Sequence, residues 1–132
     1  MFLSRLSSDE QRAFLQVAVR LLEVDGLSDD ERTAFGGLCE RVGVRDDWAP
    51  DATAPLGAFL GQISRPSARA AALLELLGLA WVDTQYGDDE RVFIQQIAQR
   101  WDISTSRLAL MESWVVRQIA LAEEGEQLVG GA

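Results

Sequence analysis

The sequence contains no histidine and no lysine, and all twelve of its basic residues are arginine. Without an imidazole, no ordinary side chain titrates near neutral pH, and neither a Ser-His nor a Cys-His catalytic pair can form. The usual nitrogen ligand of zinc is missing as well. The lack of lysine excludes Schiff-base chemistry. These absences remove most nucleophilic and zinc-dependent enzyme classes from consideration.

Cysteine and long apolar runs are also scarce. Cys39 is the single cysteine, so no internal disulfide can form, and its place in a predicted helix favours a small core residue over a reactive thiol. The longest apolar run, 70–82, contains Glu75 and is too short to span a bilayer. The N-terminal residues lack a signal-peptide pattern. We therefore expect a cytoplasmic protein without direct membrane insertion.

The charge balance is strongly acidic, with a net charge of −9 and a pI near 4.4. Nucleic acid phosphates and anionic membranes would be repelled by such a chain. The expected partner is therefore another protein or a metal ion. With 132 residues, 48% apolar and 25% charged, the chain fits one globular domain that buries about two-thirds of its unfolded surface.

An acidic turn occurs twice in the chain. Val-Asp at 24–25 matches Val-Asp at 82–83 with an offset of 58, and Asp-Asp-Glu-Arg at 29–32 matches 88–91 with an offset of 59. Downstream, the same offset of 59 relates Leu38, Arg41 and Val44 to Ile97, Arg100 and Ile103. Because the repeat spans a helix, a turn and a second helix, it predicts a duplicated helical hairpin.

No segment alternates with a period of two over the length of a strand, so the predicted fold is all-helical. We expect a compact bundle of about six to seven helices around a central apolar helix that extends to Val82. Helix starts are predicted by the following residues: Ser7 or Ser8, Ser28, Thr53, Pro66, Gly87, and Ser104 or Ser106.

The predicted single domain, 1–132, has a first half at about 8–44, a connecting loop at about 45–54, a second half at about 55–123 and a flexible tail at about 124–132. In the loop, Trp48 is expected to fold back onto the core; the alternative is an exposed anchor for a partner. The tryptophans on helices, at 81, 101 and 114, are expected to be core residues rather than an oligomer interface. The oligomeric state is left open.

In each acidic turn, an aspartate lies at the C-terminal end of one helix and a glutamate lies near the N-terminal end of the next. Asp25 and Asp83 follow a helix, where a carboxylate is disfavoured by the negative end of the helix dipole. An Asx-turn bond, an arginine such as Arg41 or a bound cation could offset that cost. Glu31 and Glu90 stand three residues after a helix start, where a capping-box glutamate bonds back to the backbone.

Carboxylates and helix-end carbonyls are the oxygen ligands that calcium and magnesium prefer, so a divalent cation is a candidate ligand of both turns. The spacing is not that of an EF-hand loop, which predicts a modest affinity. The alternative function is a carboxylate-metal-dependent hydrolase that uses the same acidic residues to activate water. Against this alternative, the sequence contains no glycine-rich phosphate loop and no nucleophile motif.

Two acidic turns of this kind, the later one followed by Ile-Ala-Gln-Arg-Trp-Asp-Ile-Ser at 97–104, resemble the TerB-like tellurite-resistance family. The family's fold is similar to the N-terminal region of membrane-anchored DnaJ-like co-chaperones. The resemblance covers about 10–118. It implies a compact, non-enzymatic helical accessory domain that serves bacterial stress resistance and binds a divalent metal through Asp25, Glu31, Asp83 and Glu90.

Overall fold

The computed structural model describes residues 2–24, 26, 28–44, 48–81 and 86–131. Within these ranges all regular secondary structure is helical and no strand occurs, which confirms the predicted fold class. A short 3₁₀ turn at Leu3–Arg5 precedes six helices. They are α1 (Ser8–Glu23), α2 (Asp29–Val42), α3 (Leu56–Gly61), α4 (Pro66–Ala80), α5 (Asp88–Arg100) and α6 (Thr105–Gly130).

The predicted repeat is visible in the element order, because α1 and α2 are followed, after α3, by α4 and α5. Helix α2 begins at Asp29 and α5 at Asp88, which reproduces the offset of 59. Leu38 and Ile97 correspond to each other in the repeat, and both are buried. In the first turn, Gly26 has a φ of +81°, a left-handed conformation that glycine adopts without steric cost.

Helix α4 is the predicted central helix. It packs against α1, α2, α5, α6 and the N-terminal 3₁₀ turn, and Pro66 occupies its first turn as expected. Helix α1 shares the central position, since it contacts α2, α3, α4 and α5. Glu75, the one charge in the apolar run, accepts the Phe2 amide at 2.7 Å and lies 3.5 Å from the Arg41 guanidinium.

The start of α1 is held by a capping box and by an ion pair. The Ser7 hydroxyl accepts the Glu10 amide at 3.2 Å, and Glu10 Oε1 accepts the Ser7 amide at 2.8 Å. The same oxygen lies 2.5 Å from Arg65 Nη2, which joins α1 to the start of α4. This hydrogen bond from Arg65 holds the pKa of the Glu10 carboxyl below its usual value, although burial opposes the shift.

The connecting loop is held against α1 by two polar side chains. Gln16 donates to the Ala49 carbonyl and accepts the Asp51 amide, and Arg20 donates to the carbonyls of Asp51 and Ala54. The arginine also lies over the Phe59 ring at 5.2 Å. These contacts fix the path of the described part of the loop between the two halves.

Trp48 folds back as predicted, with its ring 6.1 Å from that of Phe35 on α2. The prediction that Thr53 caps α3 is wrong. Pro55 stands at the cap position without a side-chain bond, whereas Thr53 donates its amide and hydroxyl to Asp51 Oδ1. The Asp51 carboxylate accepts these bonds because an aspartate side chain can close an Asx-type turn with the residue two positions later.

Helix α6 differs from the flexible tail predicted at about 124–132. It begins at the expected cap, where the Ser104 hydroxyl accepts the Arg107 amide, and continues without a break to Gly130. Alanine, leucine, glutamate and glutamine dominate 120–128, and their helix propensity outweighs the cost of about 1 kcal/mol for Gly125. None of the helices in the described ranges is both long and apolar enough to cross a membrane.

Candidate functional site

The first acidic turn leads into a complete capping box at the start of α2. The Ser28 hydroxyl accepts the Glu31 amide, and Glu31 Oε1 accepts the Ser28 amide, both at 3.1 Å. Glu31 is only 5% exposed, whereas Asp29 and Asp30 of the same turn are exposed. The predicted role of Glu31 in capping is therefore confirmed, and the two aspartates are left on the surface.

The second acidic turn leads into a similar start of α5. Gly87 takes the cap position with φ −77° and ψ 171°, close to the φ −75° and ψ 163° of Ser28, but it contributes no side-chain acceptor. Glu90 is 4% exposed, and Asp88 and Asp89 are exposed. The repeat therefore preserves a buried glutamate beside two exposed aspartates, even though the capping hydroxyl is absent from the second copy.

Asp25 and Asp83 lie outside the described residues, so of the four predicted metal ligands the structure locates Glu31 and Glu90. Among the residues that the structure does describe, no three acidic or cysteine side chains are grouped closely enough to hold a metal ion. The prediction of a calcium or magnesium site depends on both aspartates and stays a prediction.

An aromatic cluster borders the second turn. The rings of Trp81 and Tyr86, on either side of 82–85, lie 5.1 Å apart. The Arg91 guanidinium lies 4.7 Å above the Tyr86 ring and 3.4 Å from Glu112 Oε2 on α6. Burial and the nearby Glu112 carboxylate raise the pKa of Tyr86. The second turn is thereby anchored to α5 and α6 at its described end.

Two buried polar atoms belong to this aromatic cluster, the Trp81 indole nitrogen and the Tyr86 hydroxyl. Neither forms a hydrogen bond with any residue in the described ranges. From the sequence, Trp81 is expected to be a core residue of the central helix, and no role is predicted for the polar atom of either residue. Arg91 links the Tyr86 ring to Glu112, and this link depends on the packing of α5 against α6, which no local pattern shows.

The arginines that repeat with the acidic turns have other contacts. Arg41 faces Glu75, and Arg100 lies across α3, where a Cβ added at Gly57 would be 3.1 Å from its Nη1 atom. Because Gly57 has no side chain, the Arg100 guanidinium can lie close to the backbone of α3. Since Asp25 and Asp83 are outside the described residues, the predicted pairing of these arginines with them stays a prediction.

The cysteine does not have the features of an activated nucleophile. Cys39 is half-buried against the core, and burial raises the pKa of its thiol. A raised pKa lowers the thiolate fraction at neutral pH, and the thiolate is the reactive form. The structure therefore agrees with the predicted packing role of this side chain.

Sequence reasoning missed an apolar surface on α6. Leu110, Leu121, Leu128 and Val129 are between 67% and 85% exposed, and Leu110 lines a groove beside Trp114. For Leu121 and Leu128 the signal was present as an alternating spacing of four and three residues from Arg107 to Leu128. It was not recognised because the end of the chain was predicted to fray.

Comparisons with known proteins do not identify the chain, since it matches no protein-family model, no curated protein and no solved structure with significance. The resemblance to the TerB-like family therefore stays a prediction.

Proposed function

We propose that this chain is a non-enzymatic accessory domain of the TerB-like type, which binds a basic protein partner through its two acidic helix starts. In this proposal a divalent cation, calcium or magnesium, is held by Asp25, Glu31, Asp83 and Glu90. The domain would serve bacterial stress resistance, including resistance to tellurite, in the cytoplasm.

The observation that carries the proposal is the repeated arrangement at the start of α2 and α5. Each start buries one glutamate and exposes two consecutive aspartates. Exposed carboxylates at a helix N-terminus are favourable by about 0.3–1 kcal/mol each, so the fold tolerates two such pairs. A surface with this charge favours encounter with a basic partner, and the net charge of −9 adds to the attraction.

A binding role is also supported by the surroundings of two described side chains, Glu31 and Cys39. Glu31 Oε1 already accepts the Ser28 amide, so this carboxylate has a structural role in holding the start of α2. Burial holds the pKa of the Cys39 thiol above its usual value. These are features of a domain whose polar groups maintain shape and present charge.

The proposal predicts that a partner from cells that express the chain is captured by the immobilised domain and released as salt is raised. Asp88→Asn with Asp89→Asn should reduce capture severalfold, because it removes two exposed charges from one helix start. Glu123→Gln with Glu126→Gln removes the same charge from α6 and should leave capture unchanged. Quantitative mass spectrometry of the retained proteins measures the effect.

Equal capture by both charge-neutralised variants would contradict the proposed role of the helix starts. Circular dichroism of each variant checks that α5 has not been lost, since neutralising first-turn aspartates weakens a helix slightly.

A further inference from the structure

Helix α6 carries a continuous seam along one face. Its positions alternate by four and three residues, and they are Arg107, Met111, Trp114, Gln118, Leu121, Gly125 and Leu128. At about 3.6 residues per turn this spacing keeps all seven on one side of the helix, which is the pattern of a helix that pairs with another helix.

The N-terminal half of the seam forms one wall of an apolar groove of about 370 Å³. Phe2 and Leu74 form the other wall, and the Phe2 and Trp114 rings lie 5.7 Å apart. Leu110 borders the groove and is 71% exposed. Among the described residues, Arg107 is the only charged side chain that lines the groove.

The C-terminal half of the seam projects from the bundle, and every described residue from 120 onward is exposed. Leu121, Leu128 and Val129 lie on the same face as the groove and are 67%, 78% and 85% exposed. Three glutamates, Glu123, Glu124 and Glu126, lie around this apolar face rather than on it. An exposed apolar face with a charged border is typical of an interaction surface.

The groove and the projecting face are both apolar, but they lie on one continuous helix. Leu110 and Leu128 are 18 residues apart, which corresponds to roughly 27 Å along the axis, so the two surfaces cannot meet within one chain. A second copy of the chain can bring them together. Antiparallel pairing places the projecting half of each copy in the groove of the other, with twofold symmetry.

Charge selects the antiparallel orientation. The groove half of α6 carries Arg107, Arg117 and Glu112, of which Glu112 is paired with Arg91, whereas the projecting half carries three glutamates and no arginine. With the twofold axis between Ala120 and Leu121, Arg117 lies opposite Glu124 of the second copy, and symmetry repeats the pair. A parallel pair would place the acidic halves side by side. We propose that this chain forms an antiparallel homodimer through the α6 seam.

The dimer is tested by sedimentation of the full chain at about 100 μM, a concentration suited to a micromolar dissociation constant. The expected mass is twice the 14.5 kDa of one chain. Leu121→Asp with Leu128→Asp should give a monomer, because each replaces an apolar side chain of the seam by a carboxylate. Both side chains are exposed in one copy, so the fold should be retained.

The matched control is Val92→Asp with Val116→Asp, which adds the same two charges at exposed positions off the seam. This variant should remain a dimer. A monomeric wild-type chain would overturn the proposal and leave the face to a different protein. A seam variant that remains dimeric would overturn it as well.

The orientation is tested by exchanging charges. Arg117→Glu or Glu124→Arg alone should raise the dimer dissociation constant roughly tenfold, because two opposite-charge pairs become like-charge contacts. The two substitutions together should restore the wild-type value, since each reversed pair is again complementary. If the double variant is as weak as the single variants, the antiparallel register is refuted.

Discussion

Trp101→Ala is expected to lower the free energy of unfolding by about 3–5 kcal/mol, one of the two largest effects that we expect from a single substitution in this chain. Trp101 is 3% exposed at the end of α5, and its indole nitrogen donates to the Leu60 carbonyl on α3 at 3.0 Å. Alanine would leave a cavity and remove this bond between the two helices. Urea unfolding followed by circular dichroism measures the loss.

Two further substitutions separate the causes of this effect. Trp101→Phe keeps most of the apolar volume but removes the donor, so we expect a smaller loss of about 1–3 kcal/mol. Trp48→Ala removes a half-buried ring at the loop and should cost less than Trp101→Ala. A loss below about 1 kcal/mol for Trp101→Ala would contradict the anchoring role of this side chain.

Leu76→Ala is expected to destabilise the chain by about 2–5 kcal/mol. Leu76 is fully buried in α4, the helix that contacts four other helices and the 3₁₀ turn, so neighbouring side chains on several elements would lose contacts together. Thermal or denaturant unfolding gives the difference in free energy. The expected loss reflects both the lost apolar transfer energy and the residual cavity.

The controls for this prediction are Leu76→Met and Val92→Ala. The methionine preserves volume and should cost less than about 1.5 kcal/mol. Val92 is 50% exposed on α5, and its truncation should change the stability by no more than about 0.5 kcal/mol. If Leu76→Ala were as mild as Val92→Ala, α4 would not be the centre of the fold.

Helix starts could be predicted because their chemistry is local. Ser7, Ser28 and Ser104 each accept an amide three residues on, and Pro66 occupies a first turn, as their sequence neighbours indicate. Thr53 was the exception. Its hydroxyl donates to the Asp51 carboxylate and does not cap α3. The sequence could not show which of these two hydrogen bonds would form.

The behaviour of α6 could not be predicted from the same local rules. A flexible tail was predicted at about 124–132, yet the helix continues to Gly130. A single glycine inside a run of good helix formers destabilises the helix by about 1 kcal/mol, which the neighbouring helix formers can offset. The groove that adjoins the seam contains Phe2 and Leu74, residues distant in sequence whose proximity follows only from the fold.

For the acidic turns, the sequence was sufficient to locate Glu31 and Glu90 at the third position of their helices, and both are buried there. It could not show that Tyr86 and Arg91 connect the second turn to Glu112, because this contact spans 21 residues between Arg91 and Glu112 and depends on helix packing. A helix cap depends on residues within a few positions in the sequence, whereas the contacts around a site depend on how distant helices pack.

The two proposals reinforce each other without depending on each other. One copy carries two acidic helix starts, so the proposed dimer carries four. A partner with several basic segments would then bind more tightly than to one copy, because the second contact is made at a high effective concentration. A monomeric chain would still present both starts, and a dimer without a basic partner would still bury the α6 seam.

Thermal unfolding of the chelator-treated protein, with and without calcium at constant ionic strength, tests the role of the acidic turns most directly. A ligand that binds only the folded state stabilises it by about 1.4 kcal/mol at ten times its dissociation constant, a rise of roughly 3–6 °C in the midpoint for a domain of this size. We predict such a rise, abolished by Asp83→Ala and retained in Glu123→Ala. An unchanged midpoint at millimolar calcium and magnesium, or an equal rise in both variants, would contradict cation binding by the turns.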